Sequence, residues 1–230
     1  MSKRLVIIPA YNEEGNIIKT VTDVQKHAPS FDYIIINDCS TDNTLQICKE
    51  QGYQVLNLPC NMGIGGGVQT GYLYAARNGY DFAVQFDGDG QHNGAYLEAM
   101  AEKMEAEELD MLIGSRYIQK EGFQSSGARR MGIKYFTGLI KLVTGARITD
   151  PTSGMRMVNA EVIRLFAGDY PKDYPEPESV MAILRMGKKV TELPVVMRER
   201  EEGSSSIAGF KSAYYMIKVT LAILMERLRR

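Results

Sequence analysis

An α/β fold with a mostly parallel central sheet flanked by helices is what this sequence predicts. Three observations carry the expectation. Short apolar runs rich in Val, Ile and Leu recur through the first half of the chain. Segments of helical length separate them, and such alternation builds βαβ units whose strands pair in parallel. Polar residues follow directly on three of the runs: Tyr11, Asn12 and Glu13 on the first, Asp38 and Ser40 on the second, Asp87 and Asp89 on the fourth. Right-handed crossovers bring these strand ends to one edge of the sheet, where folds of this kind bind ligands.

The first strand covers residues 5–9 and leads into a helix over 13–27. A second strand, 33–37, precedes a helix over 41–51, which Ser40 or Thr41 can cap. Strand 54–58 leads to helix 65–78, and strand 82–86 to helix 94–107. A fifth strand lies at 111–114. Residues 120–130 are rich in Gly and Ser, which predicts a loop. A helix over 128–144 follows, then the turn cluster Asp150-Pro151-Thr152-Ser153-Gly154. Strands at 155–158 and 190–197 enclose a helix at 178–186. A polar stretch, 198–206, precedes a last helix from 208 to the end.

A length of 230 residues suits one large domain, or one domain with an appendage. The expected division is a domain at 1–206 and an amphipathic C-terminal helix at 207–230. A net charge of −1 argues against a nucleic-acid partner. Cys39, Cys48 and Cys60 are odd in number and form no C-x-x-C pair, so neither a disulfide framework nor a zinc site is expected. That usage fits a reducing cytosol. The residues before Leu5 are too few for a signal peptide. The longest apolar candidate, 213–225, is interrupted by Lys218 and falls short of the roughly 18 residues of a membrane span.

The chemistry concentrates at Asp87-Gly88-Asp89-Gly90-Gln91-His92. Two carboxylates and an amide at a strand end suit hard cations such as Mg²⁺ or Mn²⁺, which prefer oxygen ligands. A solvated acidic turn explains the hexapeptide alone equally well. Glu13 and Asp38 on the same sheet edge favour a nucleotide–metal site, which explains all three segments together. Gly63-Ile64-Gly65-Gly66-Gly67 misses the G-x-G-x-x-G spacing and follows the third strand, so tight helix–sheet packing or close passage of a ligand is the expected use of these glycines.

Ile8-Pro9-Ala10-Tyr11-Asn12-Glu13-Glu14, Asn37-Asp38-Cys39-Ser40-Thr41-Asp42 and Asp87-Gly88-Asp89-Gly90-Gln91-His92 stand in the order seen in family 2 inverting glycosyltransferases of the GT-A fold. Asp150-Pro151-Thr152-Ser153-Gly154-Met155-Arg156 and Arg200-Glu201-Glu202-Gly203-Ser204-Ser205 narrow the resemblance. The chain resembles the dolichol-phosphate mannosyltransferase-like branch, in its bacterial form that loads a sugar onto polyprenyl phosphate. The resemblance reaches to about Ser206 and implies a Rossmann-like GT-A sheet.

It also implies roles. Pro9, Tyr11, Glu13, Ile36 and Asp38 would contact the nucleoside. Asp87, Gly88 and Asp89 match the D-x-D motif, and Asp87, Asp89 and Gln91 would hold Mg²⁺ or Mn²⁺ on the diphosphate. Arg116 and the Arg129–Arg130 pair match basic positions that meet the lipid phosphate, with no preference between Arg129 and Arg130. Arg200 matches an arginine near the donor phosphates or leaving group. Asp150 is a candidate base, a loop organiser or a turn residue, and His92 supports the metal motif or the fold. Cys39 replaces the family's usual Gly, and Ser206 replaces a common Lys, which weakens the case for GDP-mannose.

The implied reaction is inverting transfer of a hexose from a nucleotide sugar, UDP-glucose or UDP-N-acetylglucosamine before a GDP-hexose, to undecaprenyl or a related polyprenyl phosphate. Its use would be in cell-envelope glycans. A phosphate monoester, with a second pKa of about 6, needs no general base at neutral pH. An alcohol acceptor needs one, and Asp150, Glu176 and Glu178 are the candidates for that alternative. A nucleotidyltransferase would place a basic Gly-rich loop after the first strand, where this chain has Tyr11-Asn12-Glu13. A non-catalytic nucleotide-sugar binding subunit is the remaining alternative.

A lipid acceptor requires contact with a membrane. Helix 128–144 carries Arg130, Lys134 and Lys141 on one side and Ile133, Phe136, Ile140 and Val143 on the other. The last helix carries Lys211, Lys218 and Arg229 beside a stripe of Phe210, Tyr214, Ile217, Leu221, Leu224 and Leu228. Basic residues beside apolar area suit an interfacial helix, although such stripes also pack on cores. For the last helix a membrane or partner contact is expected, with a small membrane protein or a second copy as partners. The expected location is cytoplasmic, peripheral on the inner face of the cell membrane.

Overall fold

The computed structural model describes residues 2–119, 121, 127–199 and 210–228. Seven strands form one sheet in the order β3-β2-β1-β4-β6-β5-β7. They are β1 (Arg4–Ala10), β2 (Phe31–Asn37), β3 (Val55–Asn57), β4 (Phe82–Gln85), β5 (Met111–Ser115), β6 (Arg156–Asn159) and β7 (Val190–Pro194). The helices are α1 (Ile17–His27), α2 (Thr44–Glu50), α3 (Gly63–Arg77), α4 (Leu97–Ala106), α5 (Gly127–Thr144), α6 (Ala160–Gly168), α7 (Pro175–Arg185) and α8 (Phe210–Leu228). A short 3-10 turn, Gly94–Tyr96, precedes α4.

β1 is the spine. It pairs in parallel with β2 on one side and with β4 on the other. Leu5, Val6, Ile7 and Ile8 are fully buried, because both faces of a doubly covered sheet are core. Burial of each such side chain contributes about 1.5–3 kcal/mol. Leu5 and Ile7 face the cluster under α3, whereas Val6 and Ile8 face the cluster under α1 and α4. The glycines of α3 serve close packing, as expected. A Cβ at Gly71 would overlap Ile7 of β1, and one at Gly65 would overlap the carbonyls of Pro171 and Lys172.

β6 departs from the parallel pattern. It runs antiparallel to both β4 and β5, with Val84 opposite Met157 and Ile113 opposite Arg156. The chain therefore enters β6 from the edge at which β4 and β5 end. That entry puts the 150–154 turn at the same edge as Asp87.

One helical expectation needs correction. α6 does not appear in the sequence prediction; Asn159 caps it by accepting a hydrogen bond from the Val162 N–H. The apolar stripe of α5, which the sequence left open between core and membrane, packs in the core: Ile133, Phe136 and Ile140 are buried, the last two beside Val219 and Ile223 of α8. On α8 the stripe of Tyr214, Ile217, Leu221 and Leu224 is exposed, as is Met225. Met131, Tyr135 and Leu142 of α5 are exposed too, and Thr220 Oγ1 lies 3.3 Å from the Tyr135 hydroxyl. Lys218 pairs with Asp173. The side chains of Phe210, Lys211 and Leu228, and all of Arg229, lie outside the described residues. Among the described residues no helix is long and apolar enough to cross a membrane.

Candidate active site

The loops after β1 and β2 are joined by side-chain hydrogen bonds. The Asn12 N–H donates to Ser40 Oγ at 3.0 Å, and the Thr41 N–H donates to Asn12 Oδ1 at 2.8 Å. The Glu13 N–H donates to Thr44 Oγ1 and the Glu14 N–H to Asp42 Oδ2. These bonds hold residues 13–16 outside α1, which explains why the helix starts later than predicted. Glu13 is nearly buried and accepts from the Asn16 amide at 2.8 Å. Asp38 is buried, and its Oδ1 accepts from the Met62 N–H at 2.6 Å. Cys39 has φ of 58°, the left-handed region that favours glycine, the residue the resemblance leads one to expect there. Tyr11 is exposed beside this pair of loops.

Pro9 and Ile36 face each other across β1 and β2. The Pro9 carbonyl accepts from the Gly88 N–H at 3.2 Å, and a Cβ on Gly88 would lie 2.9 Å from that oxygen. Glycine is thus what lets the D-x-D loop approach β1. Ile36 is a correction. Its side chain is fully buried in the core and is not available to a nucleoside.

Asp87 is held on several sides. Gln85 Nε2 donates to its Oδ1 at 2.8 Å. Its own N–H donates to His92 Nδ1 at 3.0 Å, which leaves the His92 proton on Nε2, 3.6 Å from Asp87 Oδ2. A Cβ on Gly154 would sit 2.5 Å from that same oxygen. His92 therefore braces the motif, the supporting role the sequence left open. Asp89 Oδ1 accepts from the Gln91 N–H at 3.1 Å, and the Gln91 carbonyl accepts from the Arg198 N–H at 2.8 Å. Arg198 also pairs with Asp23 at 2.9 Å, which ties the strand exit to α1.

Arg116 follows β5 and is buried. Asp150 grips it at both ends, Nε to Oδ2 at 2.6 Å and Nη2 to Oδ1 at 2.8 Å. Burial alone would make the guanidinium less basic, but the Asp150 hydrogen bonds and charge, with a smaller contribution from Asp87, raise it above its ordinary value. Asp150 has no exposed surface, and Thr152 Oγ1 also donates to it. Glu192 binds the Thr149 and Asp150 N–H groups and fixes the turn. Both Asp150 oxygens are engaged by the Arg116 guanidinium, which suits the organiser among the roles the sequence left open. Arg130 stands exposed on the first turn of α5. The side chain of Arg129, and all of Arg200 and Ser206, lie outside the described residues.

The structure thus gathers Tyr11, Glu13, Asp38, Asp87, Asp89, Arg116 and Asp150 at one sheet edge. It also reveals supports that the sequence reading missed: Gln85, Gly154 and Arg156. A polar residue inside each of two apolar strands was the available signal for Gln85 and Arg156.

A sequence profile of Glycosyl transferase family 2 matches residues 5–166, well over half the chain. The chain belongs to that family. It is a glycosyltransferase with the GT-A fold, in a family whose members typically invert the anomeric centre. An undecaprenyl-phosphate mannosyltransferase of Micrococcus luteus is 28% identical over 98% of this chain and 97% of its own length. A UDP-N-acetylglucosamine–dolichyl-phosphate N-acetylglucosaminyltransferase of Methanococcus voltae is 27% identical over 98% of this chain and 100% of its own. Among solved structures, glucosyl-3-phosphoglycerate synthase of Mycobacterium tuberculosis, in complex with Mn²⁺, UDP and glucosyl-3-phosphoglycerate, superposes with a TM-score of 0.73. That match covers 98% of this chain and 80% of the other at 17% identity.

Asp87, Asp89 and Gln91 suit a divalent cation by donor chemistry, since all three offer hard oxygen ligands. No group of three or more His, Cys, Asp and Glu residues able to hold a metal occurs among the described residues. Two carboxylates are the number Mg²⁺-type sites commonly use when substrate phosphates complete the shell.

Proposed function

We propose that the enzyme transfers a hexose from a nucleotide sugar to polyprenyl phosphate, in metal-dependent fashion and with inversion. The observation that carries this reading is one sheet edge that holds both a set of carboxylates and an arginine fixed by an ion pair. Asp38, Asp87 and Asp89 are the carboxylates, after β2 and β4, and the buried Arg116, paired with Asp150, follows β5. Both relatives above act on polyprenyl-type phosphates, by their names, and align over nearly the full chain.

In this reading Tyr11, Glu13 and Asp38 bind the nucleoside, with Pro9 and Gly88 shaping the floor beneath it. Asp87, Asp89 and Gln91 hold Mg²⁺ or Mn²⁺, which when bound neutralises the charge that builds on the departing diphosphate. Arg116, pinned by Asp150, supplies a fixed guanidinium near Asp87 for phosphate, and Arg130 an exposed surface cation for the acceptor. Arg200 is proposed to act on the donor phosphates. The acceptor phosphate is already an anion at neutral pH and attacks without a base. That suits a site in which Asp150, the buried carboxylate paired with Arg116, is engaged through both oxygens. A hydroxyl acceptor would need a base that Asp150 cannot be.

UDP-glucose or UDP-N-acetylglucosamine is the proposed donor, because Ser206 lacks the phosphate contact of the lysine found in dolichol-type mannosyl enzymes. The exposed stripe of Tyr214, Ile217, Leu221 and Leu224, continued by Tyr135 of α5, is proposed to rest on the cytoplasmic membrane surface. Asp89→Ala tests the metal role. It is expected to abolish sugar transfer and Mn²⁺–nucleotide binding while leaving the melting temperature unchanged. Substantial residual transfer would remove Asp89 from that role.

A further inference from the structure

Arg156 opens β6 in the middle of the core, and its side chain is 1% exposed. The β4–β6 register, with Val84 opposite Met157, brings Gln85 opposite it. Arg156 Nη2 donates to Gln85 Oε1 at 2.7 Å and to the Tyr170 hydroxyl at 2.9 Å. Its Nη1 donates to the carbonyls of Pro175 and Glu176, each at 3.2 Å, and to Ser179 Oγ. Among the described residues its Nε finds no acceptor. Tyr72, Phe166 and Tyr170 pack as an aromatic cluster beneath it. A well-packed apolar side chain is often the more stable occupant of such a place, so packing does not account for a guanidinium.

Directionality does. A guanidinium can only donate, so Gln85 must turn its oxygen to Arg156 and its amide N–H toward Asp87. Without Arg156, Gln85 could present either end, and with the oxygen forward it would repel the Asp87 carboxylate. We propose that Arg156 and Gln85 form a positioning relay that fixes the Asp87 carboxylate for the metal–nucleotide complex. Gln85 is the arm that touches Asp87, and Arg156 sets the arm's orientation. The relay fills one lone-pair position of Oδ1 and leaves the carboxylate's others for a ligand or for His92.

The relay rests on the reading of Asp87 as part of a metal–nucleotide site. Titration of the purified protein with Mn²⁺ and UDP, then Mn²⁺ and GDP, followed by calorimetry and by the Mn²⁺ electron-spin signal, tests both separately. No binding by the native protein would refute the site itself. Given native binding, Gln85→Glu keeps a partner for Arg156 but turns an acceptor toward Asp87. A merely structural role predicts native affinity for it. The relay predicts a loss of about tenfold or more, the usual scale for supports behind a metal ligand. Gln85→Met removes the donor without adding charge and is expected to lose a similar factor. Tyr170→Phe deletes another partner of Arg156 while leaving Gln85 in place. It is expected to melt earlier yet bind Mn²⁺–nucleotide within twofold of native. Native affinity in either Gln85 variant overturns the relay, as does a loss in Tyr170→Phe equal to that in Gln85→Met.

Discussion

Gly154→Ala isolates the placement of Asp87 from its charge. The new methyl would lie 2.5 Å from Asp87 Oδ2 and 3.2 Å from its Cγ. Contact between such atoms is ordinarily about 3.5 Å, so the carboxylate must withdraw by about 1 Å. Gly154 is not among the glycines with positive φ, so alanine meets no backbone strain there. Asp87 is partly exposed, and a shift of its side chain disturbs little of the core. The melting temperature should therefore move by no more than about 2–4 °C, equivalent to about 1 kcal/mol. Misplacing a reacting group by about 1 Å costs on the order of 100-fold in rate, or about 2.7 kcal/mol. The assay is initial-rate sugar transfer at saturating lipid, with kcat and KM for the nucleotide sugar read separately. A folded Gly154→Ala enzyme with more than half the native kcat/KM would refute a role for the 150–154 turn in placing Asp87.

Other consequences follow from the same geometry. Asp150→Ala leaves Arg116 buried without its partner, which costs about 3–5 kcal/mol and should lower the melting temperature by on the order of 10 °C in calorimetry. An unchanged melting temperature with lost activity would instead favour the role of base. Replacing Ile217 and Leu221 together by Asp should weaken sedimentation with anionic vesicles at least tenfold, because each exposed side chain contributes up to about 1.5–3 kcal/mol when buried. Unaltered vesicle binding would direct the search to a protein partner for that face. Cys39→Gly relieves a left-handed residue, worth about 1–2 kcal/mol, against about 0.4–1 kcal/mol of added chain entropy. A small rise in melting temperature is expected, and a fall would contradict the conformation assigned to Cys39.

The sheet was legible because its strands are apolar runs that end in polar residues. β1, β2 and β4 lie within about two residues of their predicted bounds, and the polar ends of all three meet at the site. Strand direction is not written in a local sequence, so the antiparallel β6 was not visible. α6 was missed because it follows β6 with only Asn159 as a signal. Asp38, Asp87 and Asp89 could be placed from strand ends alone. The Arg116–Asp150 pair could not, since the partners are 34 positions apart and only the return of the chain into β6 joins them. Ile36 was assigned to a ligand by the family resemblance, but both faces of β2 are covered and its side chain lies in the core. The stripes on α5 and α8 looked alike in sequence. Their fates differ because α8 covers α5, so one stripe is sealed and the other stays open.

One measurement bears most directly on the central claim. The protein is incubated with Mn²⁺ or Mg²⁺, polyprenyl phosphate, and labelled UDP- and GDP-sugars in turn, and the organic phase is counted. Label is expected in the lipid from a UDP-hexose and is lost when the metal is chelated. No label in the lipid from any donor, with transfer to a hydroxyl acceptor instead, would contradict it.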